Sequence, residues 1–294
     1  MNWVGFPNLG IDKIEICPYL TVFGFNIYWY GIIIACGMLA AIVYAFFNAE
    51  KFGIDNEKMI DVIIMGIIGG IIGARFYYVI FTWNIFKNNL LSILDLRTGG
   101  LAIYGGIIFA IFTGWIMCKW KKIRFLPMLD LAGIGFLLGQ GIGRWGNFVN
   151  IEAYGGHTDL PWGMTASRIN ADIQPVHPTF LYESIWCLIG FLFFALFAKY
   201  RKFDGQVFIM YLIWYGFERF FVEGLRVDSL WLIPGLIRIS QLLSLILFIA
   251  ATIILIYMIC YYMKKNPNKQ YLYVNSLEWQ NILRKKKEKA LKGD

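Results

Sequence analysis

Long apolar stretches alternate along this chain with short segments that hold most of its charged residues. Seven of the stretches reach the length, about 17 residues or more, with which an α-helix crosses the hydrocarbon core of a bilayer. The predicted spans are residues 20–47, 59–82, 101–118, 127–147, 179–198, 206–222 and 237–263. The pattern predicts an all-α, polytopic membrane protein with about seven transmembrane helices.

The positions of lysine and arginine predict the orientation of these spans, because cytoplasmic loops of membrane proteins hold an excess of both residues. With the N-terminus outside, the cytoplasmic segments carry 18 lysines and arginines and the external segments carry 5. We therefore expect a transmembrane domain over residues 1–263, with an external cap over 148–178. Residues 264–294 form a basic cytoplasmic tail in this interpretation.

The amino-acid composition supports a membrane protein and argues against several other classes of protein. Hydrophobic residues make up 59% of the chain and charged residues 16%, unlike an ordinary soluble domain. The net charge of +8 comes mostly from the predicted cytoplasmic segments and tail, so it does not indicate a nucleic-acid partner. Five scattered cysteines and two histidines have no metal-ligand spacing, and we expect neither a metal nor another cofactor.

Glycines recur at helical spacing in two of the predicted spans. Gly135, Gly139 and Gly143 form a stripe on the fourth span, and residues 66, 69, 70 and 73 do so on the second. Small residues on one face let a neighbouring helix approach closely. We expect both stripes to be packing surfaces.

A charged residue stands at the end of the fourth apolar span. Arg144 at membrane depth costs at least about 3 kcal/mol, so it indicates a functional site. Asn147 lies on the same helical face, while Asn150 and Glu152 are expected beyond the helix end. A guanidinium offers a planar set of donors that suits a phosphate or carboxylate. The alternative is a buried salt bridge from Arg144 to Glu152 or Asp130.

A second arginine-bearing segment ends the sixth span. Tyr215, Arg219, Glu223 and Arg226 are spaced so that all four would line one helical face, with Glu223 placed to pair with either arginine. The predicted topology brings this segment to the same side of the membrane as Arg144. We expect the two arginine-bearing helix ends to bind a lipid phosphate together.

Two tyrosines lie on the same predicted side. Tyr30 is near the start of the first span, a turn deeper than the residues of an aromatic belt. Tyr104 lies between the glycine pairs 99–100 and 105–106, which would allow a ligand to come close to the backbone.

The segment Gly143-Arg-Trp-Gly-Asn-Phe-Val-Asn-Ile-Glu152 resembles the signature G-R-x-G-N-F-x-N-x-E of the bacterial prolipoprotein diacylglyceryl transferases. Further motifs of that family occur in the same order along residues 20–260. They are Tyr30-Gly31, the two glycine pairs, the segments 177–183 and 219–226, and the segment 238–241. Several motifs in family order are a more specific signal than one.

The resemblance implies an enzyme that transfers the sn-1,2-diacylglyceryl group of phosphatidylglycerol to the lipobox cysteine thiol of a prolipoprotein. A thioether forms, glycerol phosphate leaves, and a lipoprotein signal peptidase acts afterwards. The resemblance also implies seven transmembrane helices in the bacterial cytoplasmic (inner) membrane, with the active site facing the outer leaflet.

The resemblance implies roles for individual residues as well. Arg144 would bind phosphatidylglycerol and Arg219 is the second essential arginine, with Asn147, Glu152 and Glu223 supporting both. We add Tyr30 and Arg226 to the substrate-binding residues. Tyr104 stands where many members of the family have a histidine. Because a neutral phenol is a poor base near pH 7, we expect Tyr104 to act as a relay and hydrogen-bond donor.

Two other functions remain open at this point. A membrane transporter or channel for an anionic solute would also place arginines along a polar path, although such proteins often show inverted repeats and interrupted helices, which are not evident here. A non-catalytic lipid-binding membrane protein would keep the arginines but would need no access for a peptide.

Overall fold

The computed structural model describes residues 2–96, 99–169, 174–227, 231–233 and 237–292. Helices dominate these residues. The α-helices are α1 (Trp29–Asn48), α2 (Asn56–Phe81), α3 (Trp83–Phe86), α4 (Ile103–Lys121), α5 (Phe125–Asn150), α6 (Thr179–Phe197), α7 (Gln206–Leu225), α8 (Ile239–Lys265) and α9 (Leu277–Lys292). The strands are β1 (Asn2–Phe6), β2 (Ile11–Ile16), β3 (Tyr19–Val22), β4 (Phe25–Tyr28), β5 (Thr165–Ala166), β6 (Trp231–Ile233) and β7 (Ile237–Arg238).

Six helices among the described residues are long and apolar enough to cross a membrane, namely α1, α2, α4, α5, α6 and α8. This confirms the predicted class, an all-α polytopic membrane protein. The sixth predicted span corresponds to α7, which has 20 residues but carries Glu218, Arg219 and Glu223 in its second half. The number of seven spans and their orientation stay predictions.

The first predicted span was placed too early. Residues 20–28, expected to begin that helix, belong instead to an antiparallel hairpin of β3 and β4, and α1 begins at Trp29. The two turn residues, Phe23 and Gly24, have φ angles of 49° and 81°. Two consecutive residues with positive φ are typical of the tight turn that matches the twist of paired strands. The hairpin is mostly apolar and adjoins α1 directly, so hydrophobicity alone did not separate the two.

The chain forms two compact units, of which the first comprises residues 1–45 and 130–271. Its N-terminal strands form a small antiparallel sheet in the order β2-β1-β5, so the predicted external cap supplies the edge strand β5. An apolar cluster lies beside this sheet and includes Val4, Ile151, Met164 and Phe180. The cap is therefore ordered over its described residues, and residues 170–173 lie outside them.

Two contacts within this unit fix α5. Its glycine stripe faces α1, where a Cβ atom on Gly37 would lie 2.9 Å from the carbonyl oxygen of Gly139, so the two helices touch backbone to backbone as predicted. Asp130 accepts hydrogen bonds from the backbone nitrogens of Gly205 (2.7 Å) and Phe208 (2.9 Å) at the start of α7. A carboxylate at a helix N-terminus satisfies donors that have no partner inside the helix.

The second unit comprises residues 46–129 and 272–294. Helices α2 and α4 pack through the predicted glycine stripe, where a Cβ atom on Gly73 would lie 2.2 Å from the Cβ atom of Phe109. Arg75 is buried beside this contact and donates to five backbone carbonyls between Ser92 and Gly100. It therefore holds the segment that leads to α4; Arg97 lies outside the described residues.

The predicted tail belongs to this second unit from residue 272 onward, whereas residues 264–271 belong to the first. Trp279 of α9 is buried, and Lys286 of α9 forms salt bridges with Glu50 (3.2 Å) and Asp55 (3.6 Å). Arg124 bonds Glu278 at 2.9 Å. The basic segment after residue 264 is thus partly a packed helix, which its charge did not indicate; residues 293 and 294 lie outside the described part.

Candidate active site

The chain turns sharply where α5 ends at Asn150, which was expected beyond the helix end. Ile151 and Ala153 have φ angles of 53° and 57°, in the left-handed region that non-glycine residues rarely adopt. This turn brings Glu152 back to α5, where it accepts hydrogen bonds from the side-chain amides of Asn147 (2.9 Å) and Asn150 (3.5 Å). Hydrogen bonds between side chains of the signature segment therefore hold its last residue against the end of α5.

The start of α6 supplies a carboxylate to both arginines. Glu183 is fully buried, and one oxygen, Oε2, contacts Nη2 of Arg144 and lies 3.6 Å from Nη1 of Arg219. A buried charge is tolerated only when it is paired, because the interior solvates it poorly. Glu183 therefore joins the helix ends of α5 and α7 through one shared counter-charge.

Arg219 also has a partner on its own helix, near the end of α7. Nη2 of Arg219 lies 2.5 Å from Oε2 of Glu223, one helical turn further along α7. Arg238, directly before α8, donates to the backbone carbonyl of Glu223, and Gln241 donates to that of Phe220 at 3.2 Å. These contacts fix the last turn of α7, and with it the position of the Arg219 side chain.

The side chains of Arg144 and Arg219 are partly exposed, whereas their shared partner Glu183 is buried. The exposed fractions are 22% for the Arg144 side chain, 16% for that of Arg219 and 1% for that of Glu183. Nη1 of Arg219, the atom next to Glu183, is itself buried and has no hydrogen-bond acceptor among the described residues, so the exposed part of this side chain is its other atoms. A guanidinium has five N–H donors, so one carboxylate does not satisfy it. Both arginines can therefore bind a phosphate or carboxylate while the contact with Glu183 keeps their side chains in position.

The predicted site residues are brought together in part. Arg144, Arg219 and Glu223 meet around Glu183, and Asn147 and Glu152 lie in the adjoining turn. The ring of Tyr30 lies against α5, since a Cβ atom on Gly146 would be 2.8 Å from it. Tyr104 belongs to the other compact unit, in the first turn of α4, where it is about half exposed.

One expectation about side-chain placement was wrong, and the alternative salt bridge of Arg144 has a different partner from the two considered. Arg226 does not continue the face of α7, because the helix ends at Leu225 and Arg226 adopts an extended conformation that forms a β-bridge with Gly155. The alternative partners for Arg144, Glu152 and Asp130, are both engaged elsewhere. The buried salt bridge does exist, but it runs to Glu183.

Sequence reasoning assigned no role to two carboxylates that the structure buries, Glu183 and Glu218. Both stand in apolar helices, so the rule that marked Arg144 applied equally to them. Glu183 also closes the motif that begins at His177. The pairing itself could not be predicted, because Glu183 is 39 residues from Arg144 and 36 from Arg219. Only the packing of three separate helices, α5, α6 and α7, brings these residues together.

His177 lies just before the start of α6 and contacts its first residues. His177 lies next to Tyr182, whose hydroxyl is 3.1 Å from Nδ1, and Trp162 donates to the same hydroxyl at 2.9 Å. Desolvation on burial, and to a smaller extent the nearby His157, lower the pKa of His177. The neutral ring therefore belongs to the folded cap, which fixes the turn just before Glu183.

Comparison with known proteins gives a consistent result. Residues 18–257 match the family model described as prolipoprotein diacylglyceryl transferase. A phosphatidylglycerol–prolipoprotein diacylglyceryl transferase of Clostridioides difficile (strain 630) is 46% identical over 248 residues, which cover 84% of this chain and 96% of that protein. Proteins of the same name from Finegoldia magna and Enterococcus faecalis are 47% and 40% identical over 235 and 260 residues. Those alignments cover 80% and 85% of this chain and 92% and 91% of the relatives.

The matched region contains all the site residues, from Tyr30 to Arg238, and the whole tail from residue 264 lies outside it. The resemblance inferred from the motifs is thereby confirmed over most of the chain. On these grounds, the chain belongs to the prolipoprotein diacylglyceryl transferase family.

Proposed function

We propose that this protein transfers the sn-1,2-diacylglyceryl group of phosphatidylglycerol to the lipobox cysteine thiol of prolipoproteins, the first step of bacterial lipoprotein maturation. The relatives carry this activity in their names. The observation that supports it most directly is the pair Arg144 and Arg219, oriented by one buried carboxylate and still accessible.

The largest change in charge during the reaction occurs on the phosphate. The thiol sulfur attacks carbon 3 of the diacylglycerol unit, and the bond from that carbon to the phosphate oxygen breaks with its electron pair. The phosphodiester, which carries one negative charge, leaves as glycerol phosphate with a second charge developing. Arg144 and Arg219 stabilise this developing charge, and because the protein fixes them beforehand, little reorganisation is needed in the transition state.

The remaining site residues support the arginines and the lipid. Asn147 and Glu152 close the turn after Arg144, and Glu223 orients Arg219. Tyr30 lies against the same helix end and, with Arg226, completes the lipid-binding surface in this proposal. Tyr104 acts as a hydrogen-bond donor or relay.

The proposal includes a location. The protein spans the bacterial cytoplasmic membrane with the arginines at the outer leaflet, where translocated prolipoproteins present their cysteine. The thioether product is then the substrate of a lipoprotein signal peptidase. The excess of lysine and arginine on the opposite side of the predicted spans supports this orientation.

A transporter or channel for an anionic solute is less well supported. Arg144, Glu183 and Arg219 all lie near one end of their helices, the C-terminal ends of α5 and α7 and the N-terminal end of α6. Solute sites of secondary transporters typically lie near the bilayer midplane, on interrupted helices. A polar cluster at one end suits a lipid headgroup.

Purified protein in phosphatidylglycerol vesicles, incubated with a lipobox peptide, tests the function. We expect the peptide mass to increase by one diacylglyceryl group, with one glycerol phosphate released per modified peptide. A peptide with serine in place of the cysteine, and vesicles of phosphatidylcholine alone, are the controls. Lipid binding without a mass increase would favour a non-catalytic lipid-binding protein and contradict the proposal.

A further inference from the structure

One buried carboxyl group of the cluster has no role in the mechanism so far. Glu218 precedes Arg219 on α7 and is 6% exposed. Its oxygen Oε1 is buried and has no hydrogen-bond partner among the described residues. An unpaired buried oxygen is costly, since it has lost its hydration without compensation. Such a group in a native structure is a candidate for a functional role.

The surroundings of Glu218 are those of the arginine cluster. Its charge interacts with those of Glu183 on α6, Arg144 on α5 and Arg219 on its own helix. The titratable groups that sense its charge further include Cys187 on α6 and Tyr211 and Tyr215 on α7. The neighbouring helix α8 contributes no Asp, Glu, Lys or Arg between residues 239 and 263.

The other two carboxylates are already engaged. Glu183 contacts both arginines, and Glu223 lies 2.5 Å from Arg219. Glu218, by contrast, forms no salt bridge within 4.0 Å among the described residues, and its Oε1 is buried without a hydrogen-bond partner, as both oxygens of Glu183 also are. This separates Glu218 from the carboxylates that orient the guanidinium groups.

The transfer reaction requires such an acceptor. A cysteine thiol is mostly protonated at neutral pH, and its S–H proton must leave as the carbon–sulfur bond forms. Resting on the function proposed above, we propose that Oε1 of Glu218 is the general base that accepts this proton. The sulfur takes the diacylglyceryl carbon, the phosphate oxygen leaves with the electron pair of the broken bond, and the protonated Glu218 later releases its proton to water.

Glu218→Gln tests this assignment with two peptides, one with a lipobox cysteine and one with selenocysteine at the same position. A selenol is ionised near neutral pH and needs no base, whereas the thiol does. General base catalysis contributes about 100-fold or more. We expect transfer to the thiol peptide to fall by about 100-fold, and transfer to the selenol peptide to change less than about 3-fold.

The ratio of the thiol rate to the selenol rate does not depend on how much enzyme is folded, so it separates a base from a structural group. An unchanged ratio in Glu218→Gln would overturn the assignment, whatever the absolute rates. Glu218→Asp, which keeps a carboxyl group, should restore the ratio in part or in full, and a ratio as low as that of Glu218→Gln would also contradict the proposal. A wild-type enzyme that modifies neither peptide would instead overturn the proposed function itself, and the assignment with it.

Discussion

At the scale of single residues, Glu183 connects the two arginines. Replacing it by glutamine keeps its volume but removes the counter-charge that Arg144 and Arg219 share. Breaking a buried ion pair costs about 3 to 5 kcal/mol, because the remaining charges are left uncompensated. We expect Glu183→Gln to lower the free energy of unfolding in detergent by about 3 kcal/mol and to reduce transfer at least about 10-fold.

Glu15→Gln is the matched control, because that carboxyl is exposed on β2. Its effect should stay within about 0.5 kcal/mol, as for most surface substitutions. A Glu183→Gln protein with the stability and transfer rate of the Glu15→Gln protein would show that the bridge matters to neither.

Tyr104 gives a second prediction at this scale. Tyr104→Phe removes only the phenol hydroxyl, and a neutral phenol is not the main source of rate acceleration in this mechanism. We expect transfer to remain measurable, within about 10-fold of the wild-type rate. Peptide mass measured over time checks this, and a folded Tyr104→Phe protein without any activity would contradict the secondary role.

Much of the site could be predicted at the residue scale because charges in apolar segments are conspicuous. Arg144, Arg219 and Glu223 stood out in this way, and the structure brings them together. The pairing with Glu183 could not be predicted, because helical spacing relates residues only within one helix. The end of α7 was also missed, so Arg226 was placed on a helical face that does not extend to it.

At the scale of elements, glycine decides how closely helices pack. Gly73→Ala on α2 would place a Cβ atom 2.2 Å from the Cβ atom of Phe109 and 2.7 Å from the carbonyl oxygen of Gly105. Because overpacking forces the backbones apart, we expect a loss of about 1 to 3 kcal/mol in stability, measured by thermal unfolding in detergent.

Gly114→Ala supplies the control, since a Cβ atom at that position of α4 meets no atom within 4 Å. Alanine also favours the helix over glycine by up to about 1 kcal/mol, so this variant should be as stable as the wild type or more so. Equal unfolding temperatures for the two variants would contradict the close packing of α2 and α4.

The cap segment before α6 predicts a pH dependence. Burial lowers the pKa of His177 in the folded protein, whereas in the unfolded chain the ring takes up a proton near its ordinary pKa of about 6.5. The stability due to the neutral ring is therefore present above about pH 6.5 and is lost as the pH falls below it. We expect the melting temperature to fall between pH 7.5 and pH 5.5, and less steeply in His177→Gln.

His157→Gln is the comparison variant, because it leaves His177 and its burial, the larger cause of the shift, in place. It should keep most of the wild-type dependence on pH. If His177→Gln melts with the same pH dependence as the wild type, the dependence arises from other groups.

Most of the long helices were predicted from the sequence, whereas the hairpin of β3 and β4 was not. Helices α2, α4, α5, α6 and α8 lie close to the predicted spans, since about 20 consecutive apolar residues are a strong signal. The hairpin of β3 and β4 was included in the first span because its apolar residues suit a helix as well as a strand. The register of its turn, at Phe23 and Gly24, depends on backbone conformations that hydrophobicity does not report.

At the scale of the whole molecule, charge and hydrophobicity are arranged for a membrane. Six helices in the described part of the chain are suited to spanning it, and the family match covers residues 18–257. Helix α9 lies beyond that match, yet Trp279 and Lys286 attach it to the second compact unit. Helix α9 is therefore a structural part of that unit, whatever further role its exposed basic residues have.

The central claim is that Arg144 and Arg219 together bind the phosphate and stabilise the leaving group. The most direct measurement is the initial rate of mass increase of a lipobox peptide in phosphatidylglycerol vesicles, for Arg144→Ala, Arg219→Ala and the control Arg284→Ala in the exposed tail. Removing one such contact costs about 3 kcal/mol, so each site variant should lose at least about 100-fold in rate while the control keeps the wild-type rate. Folded Arg144→Ala or Arg219→Ala protein with a rate near that of Arg284→Ala would contradict the account.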